Sequence, residues 1–181
     1  MSRGQIDNLV LILTAQCNLR CTYCYQTRKN PLRITWDTIR ASIDLGLDCS
    51  SDKLAVLFLG GEPLLEWSLI RRSEDYLNAK LPAGKRVAYE ISTNGLLLTD
   101  EIAGFLDQHE FDVQLSVDGI AEAQNYRHEG TFATVDRQLD RLRENWPALL
   151  RHRLRTSTVL TPATIPFLAD SIRYFTKKGI R

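Results

Sequence analysis

The sequence predicts an α/β fold, a partial, open parallel (βα) barrel with five βα units, on two observations. Five short runs dense in Val, Ile and Leu alternate with segments of helical period along the 181 residues, and such alternation implies parallel strands with right-handed crossovers. Each run also leads into a polar or glycine-containing stretch, in order TAQC, GGEP, STNG, SVDG and TP. In a parallel barrel the C-terminal strand ends share one rim, where ligands are bound.

The runs cover residues 9–14, 53–59, 86–92, 112–117 and 153–161. Their apolar density predicts strands covered on both faces, although VQLSV does alternate. Between them the helices announce themselves in different ways. Thr35 is an N-cap candidate, followed by Trp36, Ile39, Ile43 and Leu47 on one face. Leu69, Ile70, Tyr76 and Leu77 stripe a second helix less cleanly. Thr99 opens a third, with Asp100 and Glu101 at its positive end. Phe132, Val135, Leu139, Leu142 and Trp146 step by three and four until Pro147, and a fifth helix runs from about Thr164 through Leu168, Ile172 and Phe175 to Gly179. The chain then reads KKGIR where the rhythm calls for another strand, so the expectation is one domain over residues 1–181, incomplete at its C-terminal end.

Composition excludes some classes. With 23 basic and 22 acidic residues there is no general pull toward nucleic acid or anionic membrane. The apolar stretch LVLILT is far too short to span a bilayer, and no cleavable leader pattern surrounds it, so a cytoplasmic protein is expected. The basic RHRLR at 151–155 has no interleaved aromatics and is not read as a nucleic-acid site.

Three of the four cysteines, Cys17, Cys21 and Cys24, fall in CNLRCTYCY. A closed zinc site needs four ligands, and His109, His128 and His152 stand at no finger-like spacing. A Cys21–Cys24 redox pair leaves Cys17 unexplained. Three thiolates suit three irons of a 4Fe-4S cluster and leave the fourth iron open; zinc and the thiol pair are the competing readings. Cys49, in LDCSSD, has no motif partner and reads as an incidental thiol.

CNLRCTYCY resembles the CxxxCxxC loop of the radical S-adenosylmethionine (radical SAM) enzymes, in which an aromatic residue commonly precedes the third cysteine, as Tyr23 does. GGEP, STNG and SVDG, in that order on the next three strands, resemble the same superfamily, especially its peptide- and protein-modifying, sulfatase-maturase-like, SPASM-type branch. The resemblance implies a TIM-barrel-like core of six strands, of which five are visible, and a 4Fe-4S cluster with SAM as cofactors. The SAM amine and carboxylate would chelate the open iron; one electron would break a carbon–sulfur bond, and the 5′-deoxyadenosyl radical would take a substrate hydrogen.

The same resemblance gives the other motifs roles beside their ordinary ones. Gly60 and Gly61 would let the backbone approach closely and offer carbonyls to the SAM ammonium, Glu62 would add charge and local hydrogen bonds, and Pro63 completes the motif. Read alone, GGEP is a Gly-Pro turn. Ser92 and Asn94 would face the ribose or the methionine end, though STNG is also a good turn. Ser116 would touch the ribose, and by period two it shares a face with Asp118, which either joins it or stabilises the turn at Gly119. Arg127 is a bidentate carboxylate grip or a surface arginine. Tyr23 stacks near adenine or packs the loop, and Leu160 is an adenine-pocket residue or barrel core. No substrate-side acid or base is assigned.

The expected function is reductive SAM cleavage for hydrogen abstraction from a peptide or protein substrate. An external one-electron donor of flavodoxin or ferredoxin type is implied. A completing domain or partner chain is also implied, since the auxiliary-cluster domain usual in that branch is not seen. A radical SAM enzyme acting on a small molecule and a non-catalytic cluster- or SAM-binding module are the alternatives.

Overall fold

Strands form within the apolar runs, and the helices that begin after Thr35 and Thr99 are capped by those threonine side chains. The computed structural model describes residues 5–26 and 31–180. These fall into two compact units, one of Met1–Cys17 and Arg28–Ser92, the other of Asn18–Thr27 and Thr93–Arg181.

In the first unit β1 (Asn8–Ile12), β2 (Lys53–Leu59) and β3 (Arg86–Thr93) are parallel, with Asn8 opposite Ala55 and Lys53 opposite Arg86. Helix α1 (Trp36–Cys49) begins as expected: Thr35 Oγ1 accepts the Thr38 N–H at 3.2 Å, and Asp37 lies at the positive end. At its other end the Lys85 ammonium donates to the Leu47 and Ser50 carbonyls, each at 2.6 Å, satisfying acceptors that a helix terminus leaves open. Ile39, Ile43 and Leu47 of α1, Ile70 and Leu77 of α2 (Trp67–Lys80), and Leu11, Leu54, Val56, Phe58 and Ile91 of the strands are the buried core. Each contributes roughly 1.5–3 kcal/mol by its burial. Trp36 is half-buried, edge-on to Tyr76 and beneath the Arg72 guanidinium.

The sheet of this unit is not covered equally on both faces, contrary to expectation. Leu11 is buried, but its neighbours Val10 and Ile12 are 49% and 56% exposed. Along β2, Leu54, Val56 and Phe58 are buried while Ala55, Leu57 and Leu59 are half-exposed. The second face is apolar as well, so the sequence lacked the alternation that signals a one-sided strand.

In the second unit β4 (Asp112–Ser116) and β5 (Leu154–Ser157) are parallel, with Val113 opposite Leu154. Helix α3 (Asp100–Gln108) starts on Thr99, whose hydroxyl accepts from Ile102 N at 3.2 Å. Helix α4 (Ala121–Arg127) was not anticipated, being too short to show a period. Helix α5 (Phe132–Asn145) buries Val135, Leu139 and Leu142, and stops two residues before Pro147. Helix α6 (Leu168–Lys178) ends on Gly179 in the left-handed region, φ 86°.

Two expectations fail here. β5 is half the predicted run, because the chain after Ser157 leaves the ladder; Leu160 is 52% exposed and is not barrel core. In α6, Ile172 is 54% exposed, and the buried stripe carries Ser171 and Lys178 instead. Lys178 is tolerable there because its ammonium meets Asp136 at 2.6 Å and Asp140 at 2.8 Å, while Tyr174 donates to Asp136 at 2.8 Å.

This network is pH-sensitive. Burial works against the ionised Asp136 carboxyl, but hydrogen bonds from Lys178 and Tyr174 outweigh it and hold the group below its ordinary 3.8. Its stabilisation is therefore complete above that value and lost as pH falls through the depressed one. Asp136→Asn is expected to lower the urea midpoint at neutral pH, and its difference from the wild type to shrink as the pH is taken progressively below 3.8. Among the described residues no helix is long and apolar enough to cross a membrane.

Candidate functional site

In the first unit the chain leaving β1 passes directly over GGEP. Gly61 N donates to Thr14 O and Glu62 N to Gln16 O, both at 2.8 Å. Thr14 Oγ1 donates to Leu32 O at 3.2 Å and accepts Gln16 N at 3.1 Å, so the segment entering Cys17 is pinned on both sides. A side chain on Gly60 would meet the Thr14 carbonyl oxygen at 2.5 Å, and one on Gly61 would meet the Gln16 carbonyl carbon at 2.6 Å. The close approach expected at these glycines is thus made by the cysteine-bearing chain itself. Glu62 is fully buried; its Oε1 accepts Leu64 N at 3.0 Å and caps a 3-10 turn over Pro63–Glu66, with Pro63 buried at its first position. The local hydrogen bond read into Glu62 is present.

In the second unit the residues Asn18 to Gln26 form an irregular loop held at three points. Asn94, at the end of β3, donates through Nδ2 to Asn18 Oδ1 at 2.7 Å and accepts Leu96 N at 3.0 Å. Thr22 Oγ1 donates to the Tyr126 carbonyl at 2.6 Å. Tyr23 donates its hydroxyl to Asp118 Oδ2, and Asp118 Oδ1 accepts from Arg127 Nη2 at 2.8 Å and Val159 N at 3.1 Å. The Arg127 guanidinium lies 5.6 Å from the Tyr23 ring centre.

Burial and then the hydrogen bond to Asp118 push the Tyr23 phenol well above its ordinary value. Burial alone would lower Arg127, but the hydrogen bond and charge of Asp118 raise it. Both residues keep their protons, and the carboxylate has three donors.

These contacts correct two sequence readings. Arg127 is only 7% exposed, so it is not a surface arginine, and with Nη2 on Asp118 its fork is already half used. Its Nε is buried and finds no hydrogen-bond partner among the described residues, at a cost of about 1–3 kcal/mol. Asp118 does not brace its own turn: it binds across to Tyr23, Arg127 and Val159, while its N–H goes to Gln124 Oε1 at 2.9 Å. Since β4 stops at Ser116, the shared face expected for Ser116 and Asp118 does not persist; Ser116 is half-exposed and Asp118 1% exposed. Gly119 is needed because a side chain there would run into Ser171 of α6. Ser92 is half-exposed on β3.

Cys17, Cys21, Cys24 and Cys49 are all thiols of intermediate exposure rather than disulfides. Cys24 N donates to Cys21 O at 3.1 Å, closing a turn over Thr22 and Tyr23. No three Cys, His, Asp or Glu side chains among the described residues stand gathered at metal-holding distances. The fit to a cluster lies in the donor chemistry: three accessible thiols on one segment, with Arg127 Nε as an unmatched donor in the same loop's surroundings. Asn18, Thr22 and Gln124 were not foreseen. Asn18 and Thr22 lie inside the CxxxCxxC stretch, where the cysteines drew all the weight; nothing in the sequence marks Gln124.

Polar motifs at the ends of parallel strands and a three-thiol loop after the first of them define an open (βα)-barrel enzyme class. The chain belongs to the radical SAM superfamily, whose model matches residues 11–162 and whose members bind a 4Fe-4S cluster and SAM. An uncharacterized protein of Methanocaldococcus jannaschii is 30% identical over 97% of this chain and 60% of its own length. A cysteine-type anaerobic sulfatase-maturating enzyme of Clostridium perfringens is 24% identical over 96% of this chain and 49% of its own. The GTP 3′,8-cyclase of Corynebacterium glutamicum is 32% identical over 71% and 37%. Among solved structures, native anSMEcpe with bound AdoMet and a Cp18Cys peptide superposes with TM-score 0.82 at 23% identity, covering 94% of this chain and 48% of that one. That likeness establishes the partial, open parallel barrel. The chain spans between about a third and three fifths of the curated relatives it matches, from 34% to 60%.

Proposed function

We propose that this chain is the core of a radical SAM enzyme that abstracts hydrogen from a peptide or protein side chain. The observation that carries the proposal is the C-x3-C-x2-C thiol set within the matched family region. Cys17, Cys21 and Cys24 would hold a 4Fe-4S cluster. When bound, that cluster with SAM supplies one-electron cleavage of the sulfonium, giving methionine and a 5′-deoxyadenosyl radical.

The chain's own residues bind and orient. Gly61 and Glu62 hold the entry to Cys17 by backbone hydrogen bonds, Gly60 and Gly61 leave room for that chain and would offer strand-end carbonyls to an ammonium, and Glu62 and Pro63 fix the turn. The unmatched Arg127 Nε suits a carboxylate; Tyr23, Ser92, Asn94, Ser116 and Asp118 complete the proposed cofactor-binding set. The thiols suit a reducing, cytoplasmic setting with an external flavodoxin- or ferredoxin-type donor, and a completing domain or partner chain would supply the remaining wall.

The peptide reading draws support from the sulfatase-maturating relative and from the peptide bound to the solved neighbour. Similarity to GTP 3′,8-cyclase supports a small-molecule substrate as the second reading. Anaerobically reconstituted protein with reductant is expected to cleave SAM to 5′-deoxyadenosine and methionine. Deuterium from a labelled peptide, and not from labelled GTP, is expected in the 5′-deoxyadenosine; the reverse result would select the second reading. Iron and sulfide loading without any cleavage would leave only a binding module.

A further inference from the structure

We propose that Tyr23, Asp118 and Arg127 are positioning residues forming a latch that sets the cysteine loop in place before any cofactor arrives. The proposal rests on the reading of that loop as the cluster ligand segment. The CxxC turn, closed by Cys24 N on Cys21 O at 3.1 Å, has two intervening residues, and both are tied to the same part of the fold. Thr22 binds the carbonyl of Tyr126 at the end of α4, and Tyr23 binds the carboxylate that the next residue of α4, Arg127, neutralises.

Burial sharpens the point. Asp118 is 1% exposed, and its carboxylate is met by one charged donor and two neutral ones from three separate segments: the loop, α4 and the chain after β5. A carboxylate so enclosed fixes the direction of each donor. Tyr23 spends its hydroxyl here, so its ring is held beside the Arg127 guanidinium by the side chain's far end. Because Tyr23 immediately precedes Cys24, fixing its ring limits where the Cys24 backbone can go. Thiols on a loop held this way need less ordering when they take a metal, as preorganisation requires.

A hydrogen bond from a neutral hydroxyl to a buried carboxylate is strong enough that its removal should be legible as local opening. Tyr23→Phe deletes that one oxygen. Tyr174→Phe is the matched control: it also removes a tyrosine hydroxyl from an aspartate, Asp136 on α5, at 2.8 Å, but touches no part of the loop.

Amide hydrogen exchange on the metal-free proteins is the test. Tyr23→Phe is expected to speed exchange of the amides from Asn18 to Tyr25 by about tenfold or more, with β4 and α5 unmoved, and Tyr174→Phe to leave the loop as in the wild type. Where Tyr23→Phe does not fold, Thr22→Val, which breaks the parallel Thr22–Tyr126 bond, is expected to give the same local rise. Loop exchange within about twofold of wild type would overturn the latch, as would a rise spread evenly over the second unit. Iron and sulfide uptake by the wild type is measured separately. Its failure would overturn the cluster reading, and because the exchange comparison uses no metal, the two failures are told apart.

Discussion

Replacing Cys17, Cys21 or Cys24 singly with alanine is expected to abolish SAM cleavage, by at least about a thousandfold, or about 4 kcal/mol of barrier. On the proposed reading each thiolate would bring a covalent bond to iron and a negative charge that stabilises the cluster, and with two left a second iron would lose its protein ligand. The expected chemical signature is loss of sulfide along with iron. Because the three side chains are half-exposed, the substitutions leave no large cavity, and the urea midpoints are expected to stay near the wild type. Cys49→Ala is the internal control. Cys49 closes α1 and takes part in folding through its carbonyl, which accepts Ile6 N at 3.1 Å and survives the substitution. Full activity in a Cys17→Ala, Cys21→Ala or Cys24→Ala variant would remove that thiol from the site.

Gly61→Ala is expected to be strongly destabilising, because the added carbon meets only backbone. The added methyl would sit 2.9 Å from the Ala15 carbonyl oxygen and closer still to the Gln16 carbonyl. Both obstacles are backbone, so neither can swing aside as a flexible side chain would. Moving the strands apart would also stretch the 2.8 Å bonds Gly61 N to Thr14 O and Glu62 N to Gln16 O. Overpacking together with two weakened hydrogen bonds costs about 3 kcal/mol or more, enough to unfold a marginal domain. Gly84→Ala provides the contrast. Gly84 has φ +84° but open space around its would-be side chain, so the backbone strain alone should cost about 1 kcal/mol. Urea midpoints for the two variants that differ little would show that the chain over GGEP yields more easily than its geometry suggests.

What could be read from sequence divides along a physical line. Helices with a cap or a long apolar period were legible: Thr35 caps α1, Thr99 caps α3, and Gly179 ends α6 as expected. Order along the chain was legible too, because each β-rich run and each helix is a local pattern. The short α4 was not, since seven residues cannot display a period. Val10 and Ile12 lie open on an apolar face, where no alternation marks which side is covered.

The motif residues were found, but their partners were not. GGEP and STNG were read toward a ligand, and each first grips the chain on either side of Cys17 within its own unit: Gly61 and Glu62 hold Thr14 and Gln16, and Asn94 holds Asn18. Arg127 and Asp118 were each weighed alone. Their pairing joins residues nine apart across a helix that the sequence did not announce, and Tyr23 meets them from 95 residues away. Side-chain pairing over such separations leaves no local pattern to read.

The central claim is that three cysteines hold a cluster with one iron left for SAM. Iron and acid-labile sulfide counted per chain after anaerobic reconstitution, with paramagnetic resonance of the reduced protein before and after SAM is added, test it most directly. The account predicts about four irons and about four sulfides per chain, and a resonance that shifts when SAM binds. One zinc with no sulfide, or a four-iron signal that SAM leaves unchanged, would contradict it.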